Sequence, residues 1–346
     1  LDFEAASQHT VTVVATSADG STSSQAFTID LTDQDEFDVS AVSDTDASAN
    51  AVAENASSGT VVGVTAFASD ADGTTNGVSY SLAADSSGGG FEVDATSGVV
   101  TVADGTKLDF EAAAQHTVTV LATSADGSTS SQTFTIDLAD EDEFDVSPVA
   151  DTDAAANQVA ENAANGAVVG VTAFASDADG TTNGVSYSLA ADSSGGGFAV
   201  DAASGVVTVA DGTKLDFEAA AQHTVTVLAT SADGSTSSQT FTIDLTDQDE
   251  FDVSAVSDTD AAANAVAENA SSGTAVGVTA FASDADGTTN GVSYSLSADS
   301  SGGGFAVDAA SGVVTVADGT KLDFEAASQH TVTVVATSAD GSTSSQ

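Results

Sequence analysis

Carboxylates carry most of the chemistry available to this chain, and they come in short clusters. Within residues 37–143 these are Glu54-Asn55, Asp70-Ala71-Asp72-Gly73, Asp109-Phe110-Glu111 and Asp140-Glu141-Asp142-Glu143. In an Asp-x-Asp-Gly run the two carboxylates straddle a turn and can converge on one cation. In Asp-Phe-Glu they are two residues apart, and so lie on one side of an extended segment. A solvated turn accounts for any single pair equally well; four clusters that recur together, in register, are harder to explain in that way. The chain has 53 acidic residues against 3 basic ones, for a formal charge of −50, and such self-repulsion opposes compaction unless something neutralises it. Calcium is the simplest neutraliser, because it takes carboxylate and carbonyl oxygens and needs neither His nor Cys.

The same composition excludes several functions. Nucleic acid and anionic membrane surfaces call for Lys and Arg, which are nearly absent. No apolar stretch approaches the roughly 20 residues of a membrane helix. With no Cys there are no disulfides, zinc fingers, iron–sulfur clusters or thiol catalysis. The four His residues are copies of one position (His9, His116, His223 and His330), each opening a Thr-Val-Thr-Val strand. They have no fixed partner nearby in sequence and read as exposed strand ends, not as bases or ligands. The Ser-Ser-Gly-Gly-Gly stretches at 86–90, 193–197 and 300–304 lack the Lys and following helix of a phosphate cradle and read as flexible turns. Asp192, beside one of them, is remote from any candidate site, and its removal is expected to be silent.

The elements that position the clusters follow from an internal repeat. Leu1-Asp2-Phe3-Glu4 returns at Leu108, Leu215 and Leu322, an interval of 107 residues each time. That period is larger than a solenoid repeat of about 20 to 50 residues, so each unit should have its own core. Residues 1–25 recur as 322–346, which reads as a window cut from a longer array. The acidic run at 33–36, 140–143 and 247–250 reads as the linker. Residues 1–36 are then the end of one repeat, 37–143 and 144–250 are whole repeats, and 251–346 is a repeat lacking its last strand. Within 37–143, Val118, Val120 and Ala122 alternate with Thr117, Thr119 and Leu121, and Phe134, Ile136 and Leu138 with Thr133, Thr135 and Asp137. Val78, Tyr80 and Leu82 share another face. Short strands are expected at 51–53, 61–67, 91–94 and 99–102, with turns at the Asp-Gly and Ser-Gly pairs. The expectation is an all-β chain of tandem, Ig-like, seven-stranded β-sandwiches arranged end to end.

In order, one repeat reads Ala53-Glu54-Asn55, Ala68-Ser69-Asp70-Ala71-Asp72-Gly73 with Asn76-Gly77, and Tyr80-Ser81-Leu82. It continues with Phe91-Glu92-Val93-Asp94, Leu108-Asp109-Phe110-Glu111 and Phe134-Thr135-Ile136-Asp137-Leu138, closing on Asp140 to Glu143. This order resembles a cadherin-type repeat, in the form carried by giant bacterial surface adhesins of the RTX kind. The resemblance implies Ca²⁺ at the junctions between consecutive repeats. It implies Asp2, Glu4, Asp33, Asp35, Glu36, Asp70, Asp72 and Asn76 as ligands at the first junction. At the second these are Glu54, Asp109, Glu111, Asp140, Asp142, Glu143, Asp177, Asp179 and Asn183. At the third they are Glu161, Asp216, Glu218, Asp247, Asp249, Glu250, Asp284, Asp286 and Asn290.

Two departures from the family pattern stand out. The family linker Asp-x-Asn-Asp-Asn appears here as Asp-Gln-Asp-Glu-Phe or Asp-Glu-Asp-Glu-Phe. Ser17, Ser124, Ser231 and Ser338 stand where the family has Asp, with Asp19, Asp126, Asp233 and Asp340 two residues on as candidate substitutes. Two or three ions per junction are expected. Asp44-Thr45-Asp46 and its copies read as a solvated loop or an extra site. The expected function is a calcium-rigidified stalk of a secreted or cell-surface adhesin of a Gram-negative bacterium, with adjacent repeats of the same chain as partners. The alternative is a set of repeats that self-associate into a fibre or biofilm matrix. An enzyme, nucleic-acid binding and membrane insertion are not expected.

Overall fold

The computed structural model describes residues 1–346, which fall into two compact units: Leu1–Asp145 with Asp177–Gly184, and Val146–Ser176 with Val185–Gln346. The first unit opens with an antiparallel hairpin, Gln8–Thr16 against Thr22–Asp30. A β-sandwich follows. One sheet runs Ala51–Ala53, Thr129–Ala139, Gln115–Ser124, Val78–Asp85; the other runs Ser43–Asp44, Val61–Phe67, Val99–Val102, Phe91–Val93. All neighbours are antiparallel except Ala51–Ala53, which lies parallel to Asp137–Ala139.

The core is what the alternation dictates. Val118, Val120, Ala122 and Ile136 from one sheet meet Val62, Val64, Val100 and Val102 from the other, all essentially inaccessible to water. Burying each such side chain stabilises by about 1.5–3 kcal/mol. The second unit repeats the arrangement once in full and once in part, the last copy having only Ser293–Asp299, Val332–Thr337 and Thr343–Ser345 in the first sheet, with separate cores from Val146 to Leu245 and from Val253 to Ala336. No helix in the chain is long and apolar enough to cross a membrane.

Two details of the sandwich set up the acidic ends. The parallel pairing of Ala51–Ala53 with the closing strand brings Glu54 beside Asp140, and the Glu54 amide donates to the Ala139 carbonyl at 3.0 Å. At the opposite end the Tyr80 hydroxyl accepts from the Ala68 amide at 2.9 Å, fixing the strand end two residues before Asp70.

Several sequence expectations are corrected. A complete repeat has eight strands, not seven, because Ser43–Asp44 pairs with Ala66 and Phe67. Its Asp44 Oδ1 accepts the amides of Thr65 and Asp46, both at 3.0 Å, so this Asp closes a local turn and is not a solvated loop residue. His116 and His223 are buried, not exposed: each takes the first inward position of its alternating strand and meets Phe91 or Phe198 edge-on, ring centroids 6.1 Å apart. The glycine-rich stretches are pinned instead of flexible. Asp192 Oδ1 accepts the Ser194 amide at 2.8 Å and its hydroxyl at 2.6 Å, and Oδ2 accepts the amides of Gly196 at 2.9 Å and Phe198 at 3.3 Å. Asp85 and Asp299 do the same in their repeats.

Candidate metal centres at the repeat junctions

In the second unit the acidic pole is assembled from three pieces of chain. Carboxylate oxygens of Glu161, Glu218, Asp247 and Glu250 all lie within 4.8 Å of one another. Glu161 is 1% exposed; its Oε2 accepts the Phe217 amide at 2.6 Å and its Oε1 the Gln248 amide at 2.7 Å. The chain can turn immediately after it because Asn162 adopts φ +52°, a left-handed conformation that Asn tolerates. Across the junction, Glu218 Oε1 accepts the Gly287 amide and Asp247 Oδ2 the Thr288 amide, both at 2.7 Å; the Thr288 hydroxyl also donates to Asp247. Asp286 Oδ1 accepts the linker amides of Glu250 and Phe251 at 3.2 Å.

The first unit contains the same construction at its start. Glu4, Asp33 and Glu36 form one group within 4.8 Å, and Asp35, Asp72 and Asp126 another. Glu4 accepts the Gly73 amide at 3.1 Å and Asp33 the Thr74 amide at 2.8 Å. Farther along this unit, Glu54, Glu111 and Asp140 converge, and Asp142 lies within the same distance of Asp179. Glu111 accepts from Gly180 at 2.7 Å, Asp140 from Thr181 at 2.8 Å, and Asp179 from Glu143 and Phe144 at 3.2 Å.

An apolar contact accompanies each pole. The Phe of Asp-Phe-Glu lies flush on the Gly of Asp-Ala-Asp-Gly. A Cβ at Gly73, Gly180 or Gly287 would stand 2.7, 2.6 or 2.6 Å from the rings of Phe3, Phe110 or Phe217. Only glycine allows that approach.

Charge is not balanced at these poles. Burial pushes the Glu250 carboxyl up to about 7, helped by Glu161, Glu218 and Asp286 nearby. Glu143 is raised by burial and then by Glu54, Glu111 and Asp179. Asp35 is raised by burial and then by Asp126 and Asp72; Asp249 likewise by burial, Asp340 and Asp286. The threonine hydroxyls act in the other direction, holding Asp33, Asp140 and Asp247 below the usual carboxylate range.

The residues fit calcium. Asp33 Oδ1, Asp72 Oδ2, Asp140 Oδ1, Asp179 Oδ2, Asp247 Oδ1 and Asp286 Oδ2 are buried without a hydrogen-bond partner. A buried charged oxygen is costly unless something neutralises it. Oxygens that share one calcium at about 2.3–2.6 Å lie no more than about 5 Å apart, which is the spread seen here. An all-oxygen donor set with no His or Cys suits a hard cation.

The structure does not bring every sequence-predicted residue into these groups in the same way. Asp2, Asp109 and Asp216 are exposed and use Oδ1 to cap the turn that follows, accepting from Ala5, Ala112 and Ala219 at 2.8–3.0 Å. Asn76, Asn183 and Asn290 are exposed, and no hydrogen bond joins their side chains to the carboxylates. Sequence reasoning passed over Thr74, Thr181 and Thr288, whose fixed place after Asp-x-Asp-Gly was the available signal. It also passed over the side chain of Asn162, whose Nδ2 donates to Glu250 Oε1 at 3.3 Å.

This chain belongs to the cadherin family: the cadherin domain matches residues 49–139, 156–246 and 263–346. It is 29% identical over 353 residues to protein dachsous of Drosophila melanogaster, an alignment covering 97% of this chain and 10% of dachsous. The chain thus spans about a tenth of that relative. Among solved structures it is similar to protocadherin gamma B2 extracellular cadherin domains 1–5, with a TM-score of 0.76 and 22% identity, covering 100% of this chain and 66% of that one. It is also similar to three domains of mouse cadherin-23, with a TM-score of 0.66 and 24% identity, covering 86% of this chain and 93% of that one. A third likeness is a protocadherin gammaB7 cis-dimer structure, TM-score 0.73 and 22% identity, covering 100% of this chain and 85% of that one. These likenesses carry the fold. Membership of the family makes the chain a run of extracellular, calcium-binding adhesion repeats with no enzymatic role.

Proposed function

We propose that these repeats are the extender of a larger adhesion protein, stiffened at each junction by calcium and holding a distal binding module away from the cell. Repeats of 37–143, 144–250 and 251–346, following the end of another at 1–36, belong to this reading. So do the junction ligands named from the sequence. The observation that carries it is the construction of the pole at Glu161, Glu218, Asp247 and Glu250. One repeat supplies Glu161 and Glu218, the linker supplies Asp247 and Glu250, and the next repeat holds the linker through Asp286. Calcium there neutralises the crowded carboxylates, so bending the junction means separating groups that share an ion. The near-identity of the repeats supports a spacer, since a specialised binding repeat should differ from its neighbours. We further assign the protein to the surface of a Gram-negative bacterium. The support for this assignment is the likeness of the motif order to the repeats of bacterial surface adhesins, an order shared with the matched relatives, which are animal proteins.

A second reading, lateral or homophilic association into a fibre, has one observation in its favour. Phe67, Phe174 and Phe281 recur in successive repeats at 52–53% exposure. A concentration-dependent sedimentation coefficient in calcium would favour it over the extender.

The extender is tested by distance measurement. Because the chain has no Cys, one engineered cysteine in 144–250 and one in 251–346 can carry spin labels without background. Pulsed electron resonance should give a narrow inter-label distance in calcium and a broad one in chelator. Asp284→Ala with Asp286→Ala should broaden it even in calcium while both cores remain folded. An identical narrow distribution in chelator would remove calcium from the stiffening role.

A further inference from the structure

We infer that Asp126 and Asp340 are cation ligands of the junctions, doing from a turn what the strand-end Ser124 and Ser338 cannot do. This inference rests on the calcium reading above and adds residues to the same site. Ser124 has no carboxylate, is 4% exposed, and spends its hydroxyl on the Thr75 carbonyl at 3.0 Å. The chain then makes a tight reversal. The Gly127 amide donates to the Ser124 carbonyl and the Ser124 amide to the Ser128 carbonyl, both at 3.0 Å, with Gly127 at φ +97°. That reversal carries Asp126 back over the strand end. Its Oδ1 accepts the Ser128 amide at 2.7 Å, which fixes the side chain.

Three carboxylates, Asp35 of the linker, Asp72 of the Asp-x-Asp-Gly loop and Asp126, then offer oxygens within 4.8 Å of one another. An independent observation points to a ligand. Asp72 is 1% exposed; its Oδ1 accepts the Glu36 amide at 3.3 Å, and its Oδ2 is buried with no partner in the protein. In the second unit, Asp286 is likewise 1% exposed with a partnerless Oδ2, and Asp340 is held by the Ser342 amide at 2.8 Å and its hydroxyl at 2.9 Å. The turn is tied to the repeat's own start, since the hydroxyls of Ser128 and Ser342 accept the amides of Val39 and Val253, each at 2.9 Å. A ligand on this turn would therefore report the position of the linker directly.

The test uses the whole chain with Asp126→Asn and Asp340→Asn together. Asn keeps the Oδ1 acceptor that caps the turn and removes only the charge. Calcium alone is titrated by calorimetry, and melting is followed in chelator. We expect one class of sites to weaken at least tenfold, the range found even when groups outside the ligand sphere are changed, with the chelated melting temperature unchanged. Glu92→Gln serves as the control, because the other repeats carry Ala199 and Ala306 there and it should bind as the parent does. Calcium binding equal to the parent in number and affinity would overturn the assignment while leaving the junction sites standing. Weaker binding together with a lower chelated melt would also overturn it, showing that the turn acts through folding. A parent chain that takes up no calcium would instead overturn the reading on which the assignment rests.

Discussion

Residues 1–36 and 108–143 carry nearly the same sequence and end in very different surroundings. Five positions differ, and the hairpin forms in both with one register: Val11 faces Phe27 as Val118 faces Phe134, and His9 faces Ile29 as His116 faces Ile136. Yet Val13 is 54% exposed and Ile29 47%, while Val120 and Ile136 are at 0%. Pairing is thus encoded locally, by alternation and an Asp-Gly turn, whereas burial requires the second sheet with Val62, Val64, Val100 and Val102. The acidic end behaves differently. Glu4, Asp33 and Glu36 converge in the bare hairpin much as Glu111 and Asp140 do in the complete repeat. In the complete repeat the buried Glu54 joins this group, accepting the amides of Phe110 at 2.6 Å and Glu141 at 2.9 Å.

The largest expected effect bears on burial. In hydrogen exchange on residues 1–346 alone, amides of residues 8–30 should open by local fluctuation and those of 115–137 only with the sandwich, a difference of about a thousandfold or more. Equal protection would break the comparison and mean that a surface outside this chain covers the hairpin.

The buried Glu provides the next contrast. Glu161→Ala leaves the half-buried amides of Phe217 and Gln248 without their acceptor and should cost about 1–3 kcal/mol in denaturant unfolding. Its counterpart Glu268 is exposed and accepts only the Phe324 amide at 3.0 Å, so Glu268→Ala should cost about 1 kcal/mol or less. Equal losses would show that burial of the Glu is not what matters.

A comparable effect is expected at a carboxylate far from any pole. Asp192→Ala frees the Ser194, Gly196 and Phe198 amides and should lower stability by about 1–3 kcal/mol with calcium affinity unchanged. A silent Asp192→Ala would return these loops to the flexible turns that the sequence suggested.

The smallest effect is a pH dependence. The Glu250 carboxyl is raised from 4.5 to about 7 in the folded chain, by burial and then by Glu161 and Glu218. The folded state therefore binds the proton more tightly, so its contribution is complete below about 4.5 and is lost as pH rises through about 7. In chelator the melting temperature should fall across that window, and Glu250→Gln should flatten the fall. With calcium present the trend should reverse, because protons then compete with the cation. A chelated melt that is flat with pH would mean the carboxylates do not repel as their crowding implies.

The repeat, the strands of the sandwich and the four acidic clusters were legible from residue types alone, because alternation fixes which side of a strand is buried and a 107-residue recurrence fixes the unit. The short strand Ser43–Asp44 was not, since two residues carry no period. Burial of His116 was missed because its neighbours in sequence are polar, and its packing partner, Phe91, lies on another sheet. Asp109 and Asp72 look alike in sequence, each two residues from a second carboxylate. Only the folded chain gives Asp109 an exposed turn to cap and Asp72 a buried oxygen with no partner. By itself, then, the sequence determined that oxygen donors gather at strand ends. Which donors face one another was decided by contacts between segments far apart in the chain, the parallel pairing that sets Glu54 beside Asp140 and the turn that returns Asp126 to Asp72. Local periodicity does not encode such contacts, because they depend on how the two sheets close over a shared core.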